Sequence, residues 1–266
     1  MRFLRAQIDQ IQEDRDGEGL TLDRIEMRPT YLVVADRIER EIMEGRLRPG
    51  DRLPTETALA EDLGVNRSTM REGLRILEQT GLVERRSGRR LYAASPGAAR
   101  LGAPVSRALL LYRVTFEELY QLMHALEPRA ALLAADCIDD AALDALEDNL
   151  TRTEAAAARG ESITALDVEF HGLVAGAMGN PAWTVARLPA ANLLYPASDP
   201  MMRRLPQAAG RLIAAHRKIL DALRARDGKT AETWMRRHIE DFKRGYAMAG
   251  FSFDQRVTRA PEARAP

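Results

Sequence analysis

Residues 45–89 read GRLRPGDRLPTETALAEDLGVNRSTMREGLRILEQTGLVERRSGR, and this stretch decides the fold of the first third of the chain. After a Pro-Gly turn, Thr55 can cap a short helix, which Gly64 ends. Asn66 or Ser68 can open a longer helix, whose apolar side chains recur at helical spacing. The stretch therefore predicts two consecutive helices joined by a tight turn.

The flanking residues complete a small domain. An upstream helix that ends near Gly45 is predicted by apolar residues at helical spacing, namely Leu32, Ala35, Ile38 and Ile42. Downstream, LVERRSGRRLYAA (82–94) predicts two short strands that turn at Ser87-Gly88. Three helices followed by a two-stranded wing are the outline of a winged helix-turn-helix, which is a DNA-reading module.

The third helix of this module carries the predicted DNA contacts. In such a module this helix lies in the major groove, and its N-terminal residues meet base edges. Those residues here are Arg67, Ser68, Thr69 and Arg71. Arginine suits the O6 and N7 atoms of guanine, and hydroxyls can reach phosphates or bases. The wing adds a positive patch suited to the DNA backbone or the minor groove, made of Arg85, Arg86, Arg89 and Arg90.

This part of the chain resembles the N-terminal module of the GntR family of bacterial transcription regulators. The resemblance runs from about residue 29 to residue 94 and rests on the motifs PG-x-x-LP-x-E, LA-x-x-LGV and R-x-x-x-RE-x-L-x-x-LE-x-x-GL. It implies operator contacts at five positions, which are Arg67, Ser68, Thr69, Arg71 and Gly88. Thr57 departs from the family pattern, because an Arg is common there, so one DNA contact is missing or replaced.

Beyond the wing the sequence predicts helices. YAASPGAARLGAPVS (92–106) is rich in Ala, Gly and Pro and is typical of a linker. Periodicity of 3.6 residues then predicts helices near 116–136, 139–159, 163–178, 181–195, 205–226 and 230–249. We predict a mainly α fold, in which the winged helix-turn-helix precedes an all-α helical-bundle effector domain. The predicted parts are an N-terminal extension (1–28), the DNA-binding domain (29–94), a linker (95–112), the helical ligand-binding, metal-binding and dimerisation domain (113–250) and a disordered tail (251–266).

Four residues of the helical part combine metal-binding side chains with apolar helix faces. Asp167 and His171 are spaced i, i+4, so they share one side of a helix. His216 and His238 each lie among apolar residues at helical spacing, so both should point inward. Buried polar groups without partners are costly, so the four should satisfy one another or share a cation. Three imidazoles and a carboxylate suit a divalent ion such as Zn²⁺, Ni²⁺ or Mn²⁺.

The helical part resembles the FCD branch of the GntR family, whose ligand-binding domain is all-helical. The resembling segments are LMHALEPRAALLAA (122–135), LDVEFHGLV (166–174), AAHRKILDAL (214–223) and RRHIEDF (236–242). The resemblance implies a metal ion held by Asp167, His171, His216 and His238. It also implies an effector that is a carboxylate from the catabolism of sugar acids, hydroxy acids or amino acids. The alternative is a polar core in which the four groups only hydrogen-bond to one another.

The sequence marks the effector contacts less clearly. Relatives often carry, near the position of Met123, an Arg that holds an effector carboxylate, and Met cannot do so. Arg187 and Arg211 are the candidates to replace that Arg. His124 lies at the edge of an apolar stripe and is a further candidate for the pocket wall.

The composition of the whole chain limits other possibilities. Lys+Arg and Asp+Glu both number 39, so the net charge does not reveal a partner. The single cysteine, Cys137, excludes an internal disulfide and suits a reducing compartment. No apolar run approaches the ~20 residues of a membrane span, and the N-terminus lacks a signal-peptide pattern. We expect a soluble, cytoplasmic protein without a membrane partner.

These features together predict a homodimeric, ligand-responsive transcription regulator, and we expect a repressor. Its partners would be a palindromic double-stranded DNA operator and a small organic acid. One alternative is a metal sensor, in which occupancy of the metal site is itself the signal. A second alternative is a metal-dependent enzyme, because three histidines and a carboxylate can hold an ion that activates water. The sequence pattern provides no acid or base beyond these four residues, so we do not predict an enzyme.

Overall fold

The computed structural model describes residues 28–86, 90–95 and 98–258. The chain divides into two compact units, residues 1–95 and 96–266. The first contains three helices and a two-stranded sheet, and the described secondary structure of the second is helical apart from an isolated β-bridge between Thr115 and Arg256. This confirms the predicted mainly α fold. Among the described residues, no helix has the length and hydropathy that crossing a membrane requires.

The N-terminal unit has the predicted order of elements. They are α1 (Thr30–Met43), α2 (Glu56–Asp62), α3 (Arg67–Thr80), β1 (Val83–Arg86) and β2 (Arg90–Ala93). The strands are antiparallel, with Val83 opposite Ala93. Thr55 caps α2, and Asn66 rather than Ser68 caps α3, because its Oδ1 accepts from the N–H of Thr69 at 2.8 Å. Gly81 ends α3 with φ of +82°, a conformation that glycine adopts without strain.

Gly73 sets the close approach of α1 and α3. A Cβ at this position would lie 2.7 Å from Cγ1 of Val34 and 2.9 Å from the carbonyl oxygen of Tyr31. Any larger residue would therefore push α1 away from α3. The core beneath this contact is apolar, and its most buried members include Val34, Met70, Leu74, Leu77 and Val83.

The C-terminal unit consists of helices joined by short turns. They are α4 (Ala98–Leu111), α5 (Phe116–Cys137), α6 (Asp140–Ala158), α7 (Thr164–Gly176), α8 (Pro181–Leu194), α9 (Ser198–Arg204), α10 (Gln207–Arg224) and α11 (Gly228–Met248), with a 3₁₀ turn at Tyr195–Ala197. α5 packs against α8, α10 and α11, and α7 packs against α6 and α8. The largest apolar core lies among α5, α6, α7, α10 and α11.

The predicted linker at 95–112 is corrected by the structure, because Ala98–Leu111 is a helix. α4 lies on α8, where a Cβ at Gly102 would come within 3.2 Å of Leu188. The hydroxyl of Ser106 donates to the carbonyl oxygen of Pro189 at 3.1 Å. Gly102, part of the composition that suggested a linker, instead permits a close helix contact.

The predicted disordered tail is also corrected for residues 251–258. Phe253 and Val257 are buried, and this segment runs along the start of α5. The N–H of Glu117 donates to the carbonyl oxygen of Phe253 at 2.9 Å, and the N–H of Phe116 donates to that of Gln255 at 3.1 Å. The segment thus satisfies donors that a helix start leaves without intrahelical partners. Residues 259–266 of the predicted tail and residues 1–27 of the predicted N-terminal extension lie outside the described residues.

Candidate functional site

The first turn of α3 presents the residues predicted to read DNA. Arg67 and Ser68 are exposed, Thr69 is half-buried, and the side chain of Arg71 is 71% exposed. A helix start carries free N–H groups and partial positive charge, which favour phosphate. The N-terminal turn of α3 therefore has the exposure and chemistry that a DNA-reading helix requires. Gly88 and Arg89 of the predicted wing contacts lie outside the described residues.

An acidic residue lies among the arginines of this face. Glu56, at the start of α2, lies 3.6 Å from Arg71 and 2.9 Å from Arg85. Arg85 also pairs with Glu78 at 2.8 Å. The sequence predicted a purely positive wing patch that includes Arg85. Its guanidinium is instead held between two carboxylates of the same unit.

The four predicted metal-binding residues converge inside the helical unit. Asp167 and His171 come from α7, His216 from α10 and His238 from α11, and one ligand atom of each lies within 4.8 Å of the others. Nε2 of His238 lies 3.2 Å from Nε2 of His171 and 3.3 Å from Nε2 of His216. Oδ1 of Asp167 lies 3.3–3.8 Å from the three Nε2 atoms. All four residues are buried. We call them the His₃Asp cluster.

A buried ion pair supports this cluster from the Nδ1 side of His171. Oε2 of Glu127 lies 3.0 Å from that nitrogen, and Nε of Arg187 donates to Oε1 of the same carboxylate at 2.7 Å. Burial by itself would raise the pKa of Glu127, but the charges and hydrogen bonds of His171 and Arg187 outweigh it and hold the pKa below its ordinary value. Glu127 is therefore an anion at neutral pH. It favours the tautomer of His171 that is protonated at Nδ1 and has a lone pair at Nε2.

Burial and neighbouring groups keep the imidazoles of His216 and His238 neutral. Burial lowers the pKa of His216 well below its ordinary value, and the nearby His171 lowers it further. Burial, His216 and His171 lower the pKa of His238 to about 3. Burial also raises the pKa of Asp167, although His171 and His238 oppose this. At neutral pH, His216 and His238 each have an unprotonated ring nitrogen available as a ligand.

The His₃Asp cluster fits a divalent cation. Oδ1 of Asp167 and Nδ1 of His216 are buried, and neither has a hydrogen-bond partner among the described residues. A buried oxygen of this kind is rare in folded proteins unless an ion or water satisfies it. Zinc bonds of about 2.0–2.1 Å place neighbouring donors of a tetrahedron about 3.4 Å apart. The measured separations of 3.2–3.8 Å scatter around that value.

A cavity of about 30 Å³ adjoins the cluster. This is room for about two or three water molecules. Asp167 and His238 of the cluster form part of its wall. The remaining wall is mostly apolar, and consists of Met123, Leu194, Tyr195, Ser198, Met201, Met202, Ala208, Leu212, Ile239, Asp241 and Phe242.

Comparison with known proteins matches both units. The family described as bacterial regulatory proteins, gntR family, matches residues 30–92, and the FCD domain matches residues 118–241. The HTH-type transcriptional regulator LutR of Bacillus subtilis (strain 168) is 31% identical over 212 residues, which cover 77% of this chain and 97% of that protein. The chain belongs to the gntR family of bacterial regulatory proteins.

Other relatives of this GntR-family protein also match it over most of its length. The Glc operon transcriptional activator of Escherichia coli (strain K12) is 28% identical over 227 residues, covering 82% of this chain and 89% of that protein. A solved structure, Streptococcus agalactiae GntR, is 31% identical with a TM-score of 0.59 and covers 80% of this chain and 99% of that chain. The matched families and LutR are transcription regulators. The protein is therefore a DNA-binding transcription regulator and not an enzyme.

The predicted effector contacts of this GntR-family regulator lie outside the cavity wall. Arg187 is 2% exposed and is engaged by Glu127, and Arg211 lines a surface cleft and donates to Asp241 at 2.9 Å. His124 is half-buried, and its Nε2 lies 3.3 Å from Oε1 of Glu240. None of the three lines the cavity beside the cluster. Their effector roles stay predictions.

Glu127 is the residue of the regulator that sequence reasoning missed. It lies between Met123 and Ala131, which are four residues away on either side and fully buried on the same face of α5. A single carboxylate in an apolar stripe is the signal that was available in the sequence. It indicates a buried acid that needs partners, although it does not identify them.

Proposed function

We propose that this regulator holds a divalent metal ion in the His₃Asp cluster and that a small carboxylate effector binds beside it and alters operator binding. The observation that carries the proposal is the convergence of three Nε2 atoms on Oδ1 of Asp167, a buried oxygen that accepts no hydrogen bond from a described residue. When bound, the ion would supply a positive centre that can accept a carboxylate oxygen. Zn²⁺, Ni²⁺ and Mn²⁺ all suit the donor set.

The adjoining cavity favours an effector over a pure metal sensor. A sensor whose signal is metal occupancy needs only the four ligands. Here a small, largely apolar cavity also borders Asp167 and His238, so a group such as a carboxylate can approach the cluster from that side. Binding of that molecule changes DNA affinity only if it prefers one arrangement of the protein over another.

We further propose that the protein acts as a homodimer on a palindromic operator and represses transcription without effector. The exposed first turn of α3, with Arg67 and Ser68, supports one half-site contact per chain. Light scattering of the free protein and of its DNA complex measures the number of chains. The relative in Escherichia coli is called an activator, so run-off transcription with and without the protein distinguishes the two directions of control.

Native mass spectrometry of the untagged protein tests the metal proposal. We expect a dimer with one divalent ion per chain, and loss of that ion in His216→Ala. His124→Ala is the matched control, because His124 is a histidine of the same unit outside the cluster. A metal-free protein after incubation with Zn²⁺, Ni²⁺ and Mn²⁺, or unchanged stoichiometry in His216→Ala, would refute the ligand assignment.

DNA binding is tested in the same preparations. A selection from random double-stranded DNA identifies the operator, and titrations then compare the metal-loaded, chelated and effector-bound protein. If chelation alone abolishes operator binding and no carboxylate changes it, the metal is the signal and the effector proposal fails. A response to a carboxylate that requires the metal supports the proposal.

A further inference from the structure

We propose that the cavity beside the His₃Asp cluster is a subsite for a carboxylate of one or two carbons, and that the hydroxyl of Tyr195 donates a hydrogen bond to it. The proposal rests on the proposed function, because a carboxylate effector is taken as given. It is carried by the size of the cavity and by an unpartnered hydroxyl in its wall.

The cavity admits only a small ligand. Its volume of about 30 Å³ is room for about two or three water molecules. Formate and acetate, with three and four non-hydrogen atoms, are of this size. Met123 and Leu194 are fully buried in the wall, so a longer acid could enter only if such side chains moved. Close packing of the interior opposes that movement.

The hydroxyl of Tyr195 is a buried polar group without a hydrogen-bond partner among the described residues. Tyr195 begins the 3₁₀ turn after α8, is 5% exposed and lines the cavity. Burial and the nearby charge of Glu127 raise the pKa of Tyr195 well above its ordinary value, although Arg187 opposes this. The hydroxyl therefore keeps its proton at neutral pH. A buried donor of this kind is normally satisfied by water or by a ligand.

Arg187 leaves the proton of this hydroxyl available. Its guanidinium is close enough to the oxygen of Tyr195 to influence its pKa. A guanidinium only donates hydrogen bonds, so it can serve the lone pairs of the phenol oxygen but cannot accept the phenol proton. The nearby carboxylate of Glu127 is already engaged by His171 and Arg187. An acceptor for this proton must therefore come from outside these residues.

The other polar groups of the wall are engaged. The carboxylate of Asp241 already accepts hydrogen bonds from two arginines, at 2.9 and 3.3 Å. The hydroxyl of Ser198 lies 3.1 Å from that of Thr164. The remaining polar side chains of the wall belong to the His₃Asp cluster. The hydroxyl of Tyr195 is thus the donor that the wall can offer to a carboxylate beside the cluster.

A series of straight-chain acids tests the size of the subsite in the natural protein. Formate, acetate, propanoate and butanoate are titrated into metal-loaded protein by calorimetry, and native mass spectrometry verifies that the ion remains bound. We expect formate and acetate to bind most tightly, and the affinity to fall by about tenfold or more from acetate to butanoate, because a longer chain overpacks the wall. An affinity that stays level or rises along the series overturns the size limit.

Tyr195→Phe tests the hydrogen bond. The substitution removes the hydroxyl and keeps the ring, which stacks on that of His171 with centroids 4.6 Å apart. We expect the affinity for acetate to fall by about 10- to 100-fold, which is typical for loss of a hydrogen bond to a charged group. The metal affinity should stay unchanged. Tyr246→Phe is the matched control, because Tyr246 is a buried tyrosine of the same unit that does not line the cavity.

Two results with Tyr195→Phe overturn the role of the hydroxyl. One is an acetate affinity equal to that of the natural protein. The other is a parallel loss of metal affinity, which would show that the residue supports His171 and does not hold the acid. A selective loss of acetate affinity, absent from Tyr246→Phe, supports the proposal.

The outcomes also separate this proposal from the proposed function. If a longer carboxylate alters operator binding while formate and acetate do not bind, the proposed function stands and the subsite fails. If acetate binds equally to the natural protein and to Tyr195→Phe, the carboxylate effector stands and only the hydrogen bond fails. If no carboxylate binds the metal-loaded protein, both proposals fail.

Discussion

Oε2 of Glu127 and Nδ1 of His171 lie 3.0 Å apart, although 44 residues separate them in the chain, and both side chains are fully buried. The contact joins α5 to α7 at the His₃Asp cluster. A carboxylate at Nδ1 fixes the imidazole plane and makes Nε2 a stronger electron donor. We therefore propose that Glu127 positions His171 as a metal ligand.

Glu127→Gln should lower metal affinity by about 10- to 100-fold, because the amide is a weaker acceptor than the carboxylate. Competition with a chromogenic chelator measures the change. Glu169→Gln is the matched control, since Glu169 is a surface acid on α7, the helix that carries His171. Unchanged affinity in Glu127→Gln contradicts a positioning role.

The same substitution leaves Arg187 buried without its ion pair. The resulting loss of stability could by itself lower the measured metal affinity. The double variant Glu127→Gln, Arg187→Gln removes both charges. We expect it to recover most of the thermal stability lost by the single variant and to keep the reduced metal affinity. Recovery of metal affinity together with stability would indicate a purely structural pair.

Metal removal should destabilise the helical unit. An ion present at 100 times its Kd stabilises a folded protein by ~2.7 kcal/mol. For a domain of this size that corresponds to a fall in Tm of about 5–10 °C on chelation. Calorimetry with and without EDTA measures it, and His216→Ala serves as the variant that EDTA should not affect. An equal Tm in both conditions argues against a bound ion.

Arg67→Ala should abolish the preference for the operator over a duplex in which the operator sequence has been changed. The free energy of specific binding should become less favourable by about 1–3 kcal/mol. The reason is the exposed position of Arg67 in the first turn of α3. Arg75→Ala is the control, because Arg75 is an exposed arginine of α3 that pairs with Glu72. Fluorescence anisotropy with both DNA duplexes measures the change. Retained discrimination in Arg67→Ala removes this residue from base reading.

Glu56→Gln should strengthen binding to random DNA and weaken the preference for the operator. Glu56 pairs with Arg71 and Arg85, and Arg85 keeps its pair with Glu78, so neutralisation of Glu56 releases the guanidinium group of Arg71 toward phosphate. Each added phosphate contact steepens the dependence of log K on log salt by about 0.9. Salt titrations of Glu56→Gln and of the control Glu72→Gln measure the slope. A slope equal to that of the natural protein shows that the arginines stay in place.

The predicted helices and the His₃Asp cluster match the structure because both depend on local spacing. Apolar residues at 3.6-residue intervals mark the buried face, so the inward direction of His216 and His238 followed from their neighbours. The four residues do converge, as predicted. Their assignment as metal ligands remains a prediction for the experiments above.

The errors in prediction arise where a distant partner decides the outcome. Residues 95–112 were predicted to be a linker because the stretch at 92–106 is rich in Ala, Gly and Pro, but α8 provides the surface on which residues 98–111 pack as a helix. The sequence shows Arg187 but not its partner Glu127, 60 residues away, so this ion pair was not predicted, and the effector role of Arg187 stays a prediction. Long-range pairing of this kind leaves no periodic signal in the chain.

The segment at 251–258, which runs along the start of α5, has a genetic consequence. A premature stop codon after codon 250 would leave all four cluster residues encoded and the DNA-reading module intact. It would nevertheless remove Phe253 and Val257 from beneath the helix that carries Met123 and Glu127. Such an allele should behave as a sensor defect rather than a loss of DNA binding, although its lesion lies downstream of the codons for all four cluster residues.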